Sequence, residues 1–348
     1  MTEDPRIKRR DLSLDLLRSL AIVMVLVIHS ASGSLGQPPH SVDWWEALAW
    51  GAAARPAVPL FFMCSGALML SRELTPKRIF IHNLPRILYA MLVWAFIYQL
   101  AALPERGGFT AANLLQAVEN TLTLHHENHF YFLHYLLLVY AFLPIVRVFV
   151  RSASRREIEY ALAVWLVTGI LLPLVQFYRP FSLVPTITWW KMPACYAAIG
   201  YALLGYYLRQ YGGTICRGWY AAALAAGFAV TFGGTAASSL KNGALVERFL
   251  EGMSPGPMLM ALGWFGLILG RKALPKDLEI TTSSLALASF CIYLSHILFL
   301  KVFIRLGFFT VFKRSVLSIP LMAALLLVCS WLLWAVLHRL PVVRKYLI

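Results

Sequence analysis

The chain has 348 residues, of which 59% are hydrophobic and 14% charged, and its mean hydropathy is +0.68. So much apolar surface excludes an ordinary water-soluble domain. The formal charge of +15 does not mark a nucleic-acid binder, because the basic residues stand in short clusters between apolar runs and not on one face or tail.

The apolar residues fall in stretches of roughly 18 to 23, the length that crosses a ~30 Å hydrocarbon layer. In the first half they cover 13–32, 50–70, 80–102, 130–150 and 159–177; in the second, 189–208, 218–237, 253–270, 284–304 and 316–338. The expected fold is an all-α integral membrane protein of about ten transmembrane helices, one domain over residues 1–348. Lys8, Arg9 and Arg10 before Leu20 to Ile28 resemble a signal peptide, but the spans that follow favour a helix retained in the membrane. The longest loop, 103–129, holds an expected amphipathic helix at Thr110 to Leu124 that could cap the outer mouth of a cavity.

Orientation follows from the Lys and Arg residues of alternate loops, which are retained on the cytoplasmic side during insertion. With the N-terminus inside, that side holds nineteen: Arg6, Lys8, Arg9, Arg10, Arg72, Lys77, Arg78, Arg147, Arg151, Arg155, Arg156, Arg209, Arg217, Arg271, Lys272, Lys276, Arg339, Arg344 and Lys345. The opposite side holds seven: Arg106, Arg179, Lys241, Arg248, Arg305, Lys313 and Arg314. Both termini are therefore expected in the cytoplasm, although three of the seven sit in the last outward loop.

Five basic side chains fall inside the spans: Arg18, Arg55, Arg86, Lys191 and Lys301. An intramembrane charge usually faces a partner or a wet cavity, while one near a span end can snorkel to the interface. Both readings stay open for Arg55, Arg86, Lys191 and Lys301. Arg18 and His29 are eleven residues apart, which at ~100° per residue is three turns plus about 20°, with a rise of ~16 Å. They share one stripe and are expected to line one long cavity at two depths. A lone histidine is more often a packing residue, but sharing a stripe with a buried arginine favours the cavity. A neutral imidazole can take a proton near physiological pH, as activating a hydroxyl requires, and arginine suits a phosphate or another anion.

Further along, Pro59 to Gly66 ends in Ser65-Gly66, which lets a helix or a ligand approach closely. His129, Tyr131 and the run from Tyr140 to Pro144 mark the fourth span, and Ser289, Tyr293, Ser295 and His296 the ninth. His125, His126 and His129 lack a carboxylate pattern such as HExxH, so no metal is expected. Arg151, Arg155 and Arg156 could meet the phosphates of coenzyme A, but plain positive-inside charge is the better account of them.

These residues resemble the acyltransferase family 3 membrane proteins, which acylate sugars of surface polysaccharides. The resemblance covers nearly the whole chain: Asp15-Leu-Leu-Arg18 followed by His29-Ser30, then Phe61-Phe62 to Ser65-Gly66, Arg86-Ile-Leu-Tyr89, His129-Phe-Tyr131-Phe-Leu, and Tyr293-Leu-Ser295-His296. Two departures stand out. Arg78, His82 and Pro85-Arg86 occupy a region where two spaced arginines before a proline are common, and Tyr131 stands where tryptophan is common. The chain is most similar to short members such as enterobacterial surface-antigen O-acetyltransferases; a hydrolase-like domain that some relatives carry is not in the sequence, so a second acceptor step is expected to need a separate protein.

The resemblance implies a multi-pass enzyme of the bacterial inner membrane, an O-acetyltransferase using cytoplasmic acetyl-CoA as acyl donor. Its expected partners are acyl-CoA, membrane lipids and an extracytoplasmic or lipid-linked glycan acceptor, with no nucleic acid. Arg18, with Arg86 or Arg78, would hold the CoA phosphates. His29 would be the general base or a transient acyl carrier, with Glu46 of the first outer loop orienting it. Arg55, Ser65, His129, Tyr131 and Tyr293 would line the substrate cavity, and His296 would lie on the acceptor side. The rival reading is a transporter or flippase for a glycan or lipid-linked sugar, since charged stripes also mark substrate paths; no inverted repeat accompanies it.

Overall fold

The computed structural model describes residues 11–125, 127–178, 189–271, 273–311 and 314–348. Arg6, Lys8, Arg9, Arg10, His126, Arg179, Lys272 and Lys313 lie outside the described residues. Every regular element among the described residues is helical. Helix α1 (Leu12–Leu35) starts where the Asp11 carboxylate accepts the Leu14 N–H at 3.2 Å, satisfying one donor that a helix start leaves free. Asp11 also pairs with Arg209 at 2.9 Å.

The second expected span is interrupted, as α2 (Val42–Ala54) and α3 (Ala57–Met69) meet at Arg55 and Pro56. Pro56 has no N–H for the Ala52 carbonyl, which the Arg55 N–H takes instead at 3.3 Å. Helix α4 (Leu84–Ala101) is entered through a π-helical segment, Ile79–Asn83. Pro85 offers no N–H to the Ile81 carbonyl, and the wider π turn absorbs that loss. The amphipathic helix expected at Thr110 to Leu124 is α5 (Ala111–Leu122), with the Thr110 hydroxyl accepting the Asn113 N–H. There follow α6 (Tyr131–Ser152) and α7 (Arg155–Trp165), the latter continued by a π segment and Leu172–Tyr178. The remainder comprises α8 (Ala194–Tyr211), α9 (Arg217–Asn242), α10 (Pro255–Ile268), α11 (Lys276–Arg305), α12 (Ser315–Leu337) and α13 (Pro341–Tyr346).

Among the described residues, eight helical segments are long and apolar enough to cross a membrane, so the chain is a multi-pass membrane protein. A helix occupies each of the ten expected spans, but α8 and α10 do not reach that standard. Tyr196, Tyr201, Tyr206, Tyr207, Arg209, Gln210 and Tyr211 lower the hydropathy of α8. Helix α10 has 14 residues, short of the ~20 a helix needs to span.

Helix α1 is central, packed against α2, α3, α10, α11 and α12. With lipid outside, helices associate by close packing and not by exclusion of water. Accordingly α3 and α8 approach at glycine: a Cβ on Gly66 would overlap the Ala202 carbonyl, and one on Gly205 the Met63 carbonyl. Gly66 thus serves helix packing, one of the two uses its sequence allowed. At the periphery, α12 turns a stripe of Leu317, Leu321, Leu325, Val328, Leu332 and Val336 outward, while Ser318, Ile319, Met322 and Leu326 are buried.

Four of the seven basic residues on the expected outer side have partners. Arg305 pairs with Glu105, Arg314 with Glu46, and Arg248 with Glu251 at 2.7 Å. Arg106 donates to Gln99 Oε1 at 2.7 Å. Lys301 pairs with Glu127 and lies 5.8 Å from the Tyr98 ring centre. Lys191 is exposed beside Trp189 and Trp190, before the start of α8, a placement that suits interfacial anchoring.

Candidate functional site

Two cavities replace the single long one expected from the Arg18 and His29 stripe. The larger encloses about 1150 Å³ and the smaller about 340 Å³. Phe132 and Tyr293 line both. Their ring centres are 5.1 Å apart, and Phe132 also packs against Phe62 at 5.1 Å and Phe61 at 5.8 Å. This aromatic cluster is where the two chambers meet.

The larger cavity gathers cations: Arg18, Lys77, Arg78, Arg86 and Lys345 all line it. Arg18 sits in the second turn of α1 and its Nη2 donates to the Ser289 hydroxyl at 3.1 Å, while Ser289 donates to the Ala286 carbonyl at 2.9 Å. Arg78 and Arg86 flank the π segment before α4, which keeps His82 and Asn83 on the lining as well. Arg86 donates to the Ile348 carbonyl and Trp94 Nε1 to the Leu347 carbonyl at 3.3 Å, so α13 returns against α4 and brings Lys345 and Tyr346 to the rim. Ser65 lines the same cavity, with its hydroxyl donating to the Phe61 carbonyl at 2.9 Å.

The smaller cavity is lined by His29, Arg55, His129, Tyr131 and Tyr135. His296 stands behind His29: the ring centres are 4.9 Å apart, and His129 lies 6.1 Å from His29 and 5.3 Å from His296. His296 is fully buried, with Nδ1 at 2.7 Å from the Tyr293 carbonyl and 3.1 Å from the Ile292 carbonyl. Both neighbours are acceptors, so Nδ1 carries the proton and Nε2 holds a lone pair. That Nε2 is buried without a hydrogen-bond partner. The Tyr293 hydroxyl donates to the His129 backbone carbonyl, which ties the start of the fourth span to α11, and the Tyr98 hydroxyl donates to the Leu294 carbonyl at 2.9 Å, which ties α4 to it.

The candidate residues thus divide into two groups. Arg18, Arg78, Arg86 and Ser65 meet at the larger cavity; His29, Arg55, His129 and Tyr131 meet at the smaller; Tyr293 belongs to both, and His296 backs His29. Glu46 joins neither. It lies within α2 and not in a loop, because Ser41 caps a helix starting at Val42 and accepts the Trp44 N–H at 3.2 Å. One Glu46 oxygen receives Arg314 and the other the Val316 N–H at 2.7 Å. Its carboxylate raises the Arg314 guanidinium above its ordinary value through their hydrogen bond. Orientation of His29 by Glu46 therefore finds no support in the geometry. Arg151, Arg155 and Arg156 line neither cavity, and Arg155 pairs with Glu159 at 2.8 Å.

Sequence reasoning missed Phe132, Lys77, Lys345 and Tyr135. Tyr135 was within reach of it, one turn from Tyr131 on the same face. Lys77 and Lys345 read only as topological charge, and nothing local marks Phe132 as a divider.

The family model described as an acyltransferase domain matches residues 11–335. No curated protein and no solved structure matches the chain.

Proposed function

The chain belongs to acyltransferase family 3, and from that premise we propose that it moves an acyl group, acetyl as the simplest case, from acyl-CoA in the larger cavity to a sugar hydroxyl in the smaller one. The observation that carries this reading is the pair of chambers meeting at Phe132 and Tyr293, cations on one side and His29 on the other. With the N-terminus in the cytoplasm, the larger cavity faces the side that holds CoA and the smaller the side where surface glycans are built. The bacterial inner membrane suits this arrangement.

In this mechanism Arg18, Arg78 and Arg86 bind the CoA phosphates through charge-assisted hydrogen bonds, and the pantetheine arm passes the aromatic cluster to present the thioester near His29. The His29 imidazole takes the proton from the acceptor hydroxyl as its oxygen attacks the thioester carbonyl. Collapse of the tetrahedral intermediate breaks the C–S bond, and the thiolate recovers the proton from His29. The His296 ring, its centre 4.9 Å from that of His29 and its Nε2 without a partner in this structure, takes in this proposal the orienting place first considered for Glu46. It can accept an N–H from His29 and so leave the other His29 nitrogen free to act as base.

Two chambers meeting at a constriction also suit a carrier for a lipid-linked sugar, and one experiment separates the readings. The purified full chain in detergent is given radiolabelled acetyl-CoA with and without acceptor glycan, beside His29→Ala. The transferase reading expects label on the glycan with wild type alone. Neither transfer nor release of label by wild type, with lipid-linked sugar still crossing vesicles, sinks it.

A further inference from the structure

Arg55 stands at the proline break between α2 and α3, where the interruption lets its side chain line the smaller cavity. Its Nε is buried without a hydrogen-bond partner, and no carboxylate among the described residues lies within ion-pair distance of it. The carboxylate that shares the cavity, Glu251, is held by Arg248 at 2.7 Å, and Arg248 is itself fixed to the Pro173 carbonyl at 2.6 Å. Glu247 acts on Arg55 only through space, without a contact. Among the described residues the guanidinium at the smaller cavity therefore has neither an ion pair nor a hydrogen bond, and a charge held so is costly unless a ligand completes it. Tyr131 and Tyr135 line the same cavity, their ring centres 5.4 Å apart and their planes at 79°, and aromatic faces of this kind suit the apolar face of a pyranose.

We infer that the acceptor carries an anionic group, a sugar carboxylate or a phosphate, which Arg55 binds while Tyr131 and Tyr135 face the sugar ring. This rests on the transferase reading and names the class of its acceptor. A planar guanidinium can grip either anion through two hydrogen bonds, which a neutral sugar cannot match. Anion binding at Arg55 also fixes the sugar's orientation, so that one hydroxyl is presented to His29.

The test gives the purified full chain radiolabelled acetyl-CoA and three acceptors: methyl glucuronoside, methyl glucoside and glucose 1-phosphate. For wild type, kcat/KM for at least one anionic acceptor exceeds that for the glucoside by about tenfold or more. In Arg55→Gln the difference collapses, chiefly through KM, and Arg55→Lys restores part of it. A preference for the glucuronoside points to an acidic sugar, and for glucose 1-phosphate to the phosphate of a lipid-linked one. Thermal stabilisation by the same compounds reads binding without chemistry, and the anionic ones stabilise wild type but not Arg55→Gln. Transfer without preference, stabilisation by all three alike, or an equal fall in kcat for charged and neutral acceptors in Arg55→Gln overturns the inference and leaves the transferase reading standing. Loss of all acetyl-CoA turnover in wild type removes both.

Discussion

The two cavities share two aromatic side chains and almost nothing else. The larger, at about 1150 Å³, collects five cations from three separate stretches of chain; the smaller, at about 340 Å³, has one arginine among histidines and tyrosines. On the proposed reading the first suits attraction of an extended polyanion, where several charges add and no single geometry is demanded. On the same reading the second suits placement, since a base works only within hydrogen-bond reach of its proton. Changes on the larger side should therefore alter binding by degrees, whereas a change at His29 should abolish chemistry.

The largest expected effect breaks the smaller side. His29→Ala lowers acyl transfer by about 10²- to 10⁴-fold, while acetyl-CoA binding measured by calorimetry persists. Equal loss of binding and turnover would end the division of labour between the chambers. Next, Arg18→Ala and Arg86→Ala each raise the Kd for acetyl-CoA by about 10- to 100-fold. The penalty shrinks at high salt for the more exposed Arg86. Insensitivity of both to the donor concentration would remove CoA from the larger cavity.

A packing change tests whether the chambers are structurally separable. Gly66→Ala forces α3 away from Ala202, and overpacking of this kind costs about 1 to 3 kcal/mol. Thermal melting in detergent reads that loss, and Ser65 beside it makes the donor Kd suffer before the acceptor KM. The smallest effect belongs to Glu46→Gln. Its partners are Arg314 and Val316, so transfer stays within about twofold of wild type, as for a substitution away from the site. A loss near that of His29→Ala would return Glu46 to the base.

Much of this was legible along the chain. The charge asymmetry, the spans and the eleven-residue step from Arg18 to His29 all follow from the 3.6-residue turn and the cost of charge in lipid. The step did place both residues on cavities. It could not show that Phe132 and Tyr293 divide the space, because those residues lie on different helices brought together only by packing. Glu46 illustrates the same limit: its nearness to His29 in sequence suggested a partner, while its oxygens are taken by residues 268 and 270 positions away. His296 shows the converse, since its tautomer is set by carbonyls of its own helix, yet its relation to His29 needs α1 against α11.

Sequence by itself determined the solvent of this protein, the helices that lipid demands, and which side chains are too costly to sit in lipid without purpose. Those properties are local or additive, fixed by composition and helical period. Only the tertiary structure decided that Arg18, Arg86 and Arg55 sort into two chambers, that α13 returns to the larger one, and that no carboxylate among the described residues pairs with Arg55. Each of those depends on contacts between residues far apart in the chain, and such contacts are settled by close packing of helices at small residues such as Gly66 and Gly205.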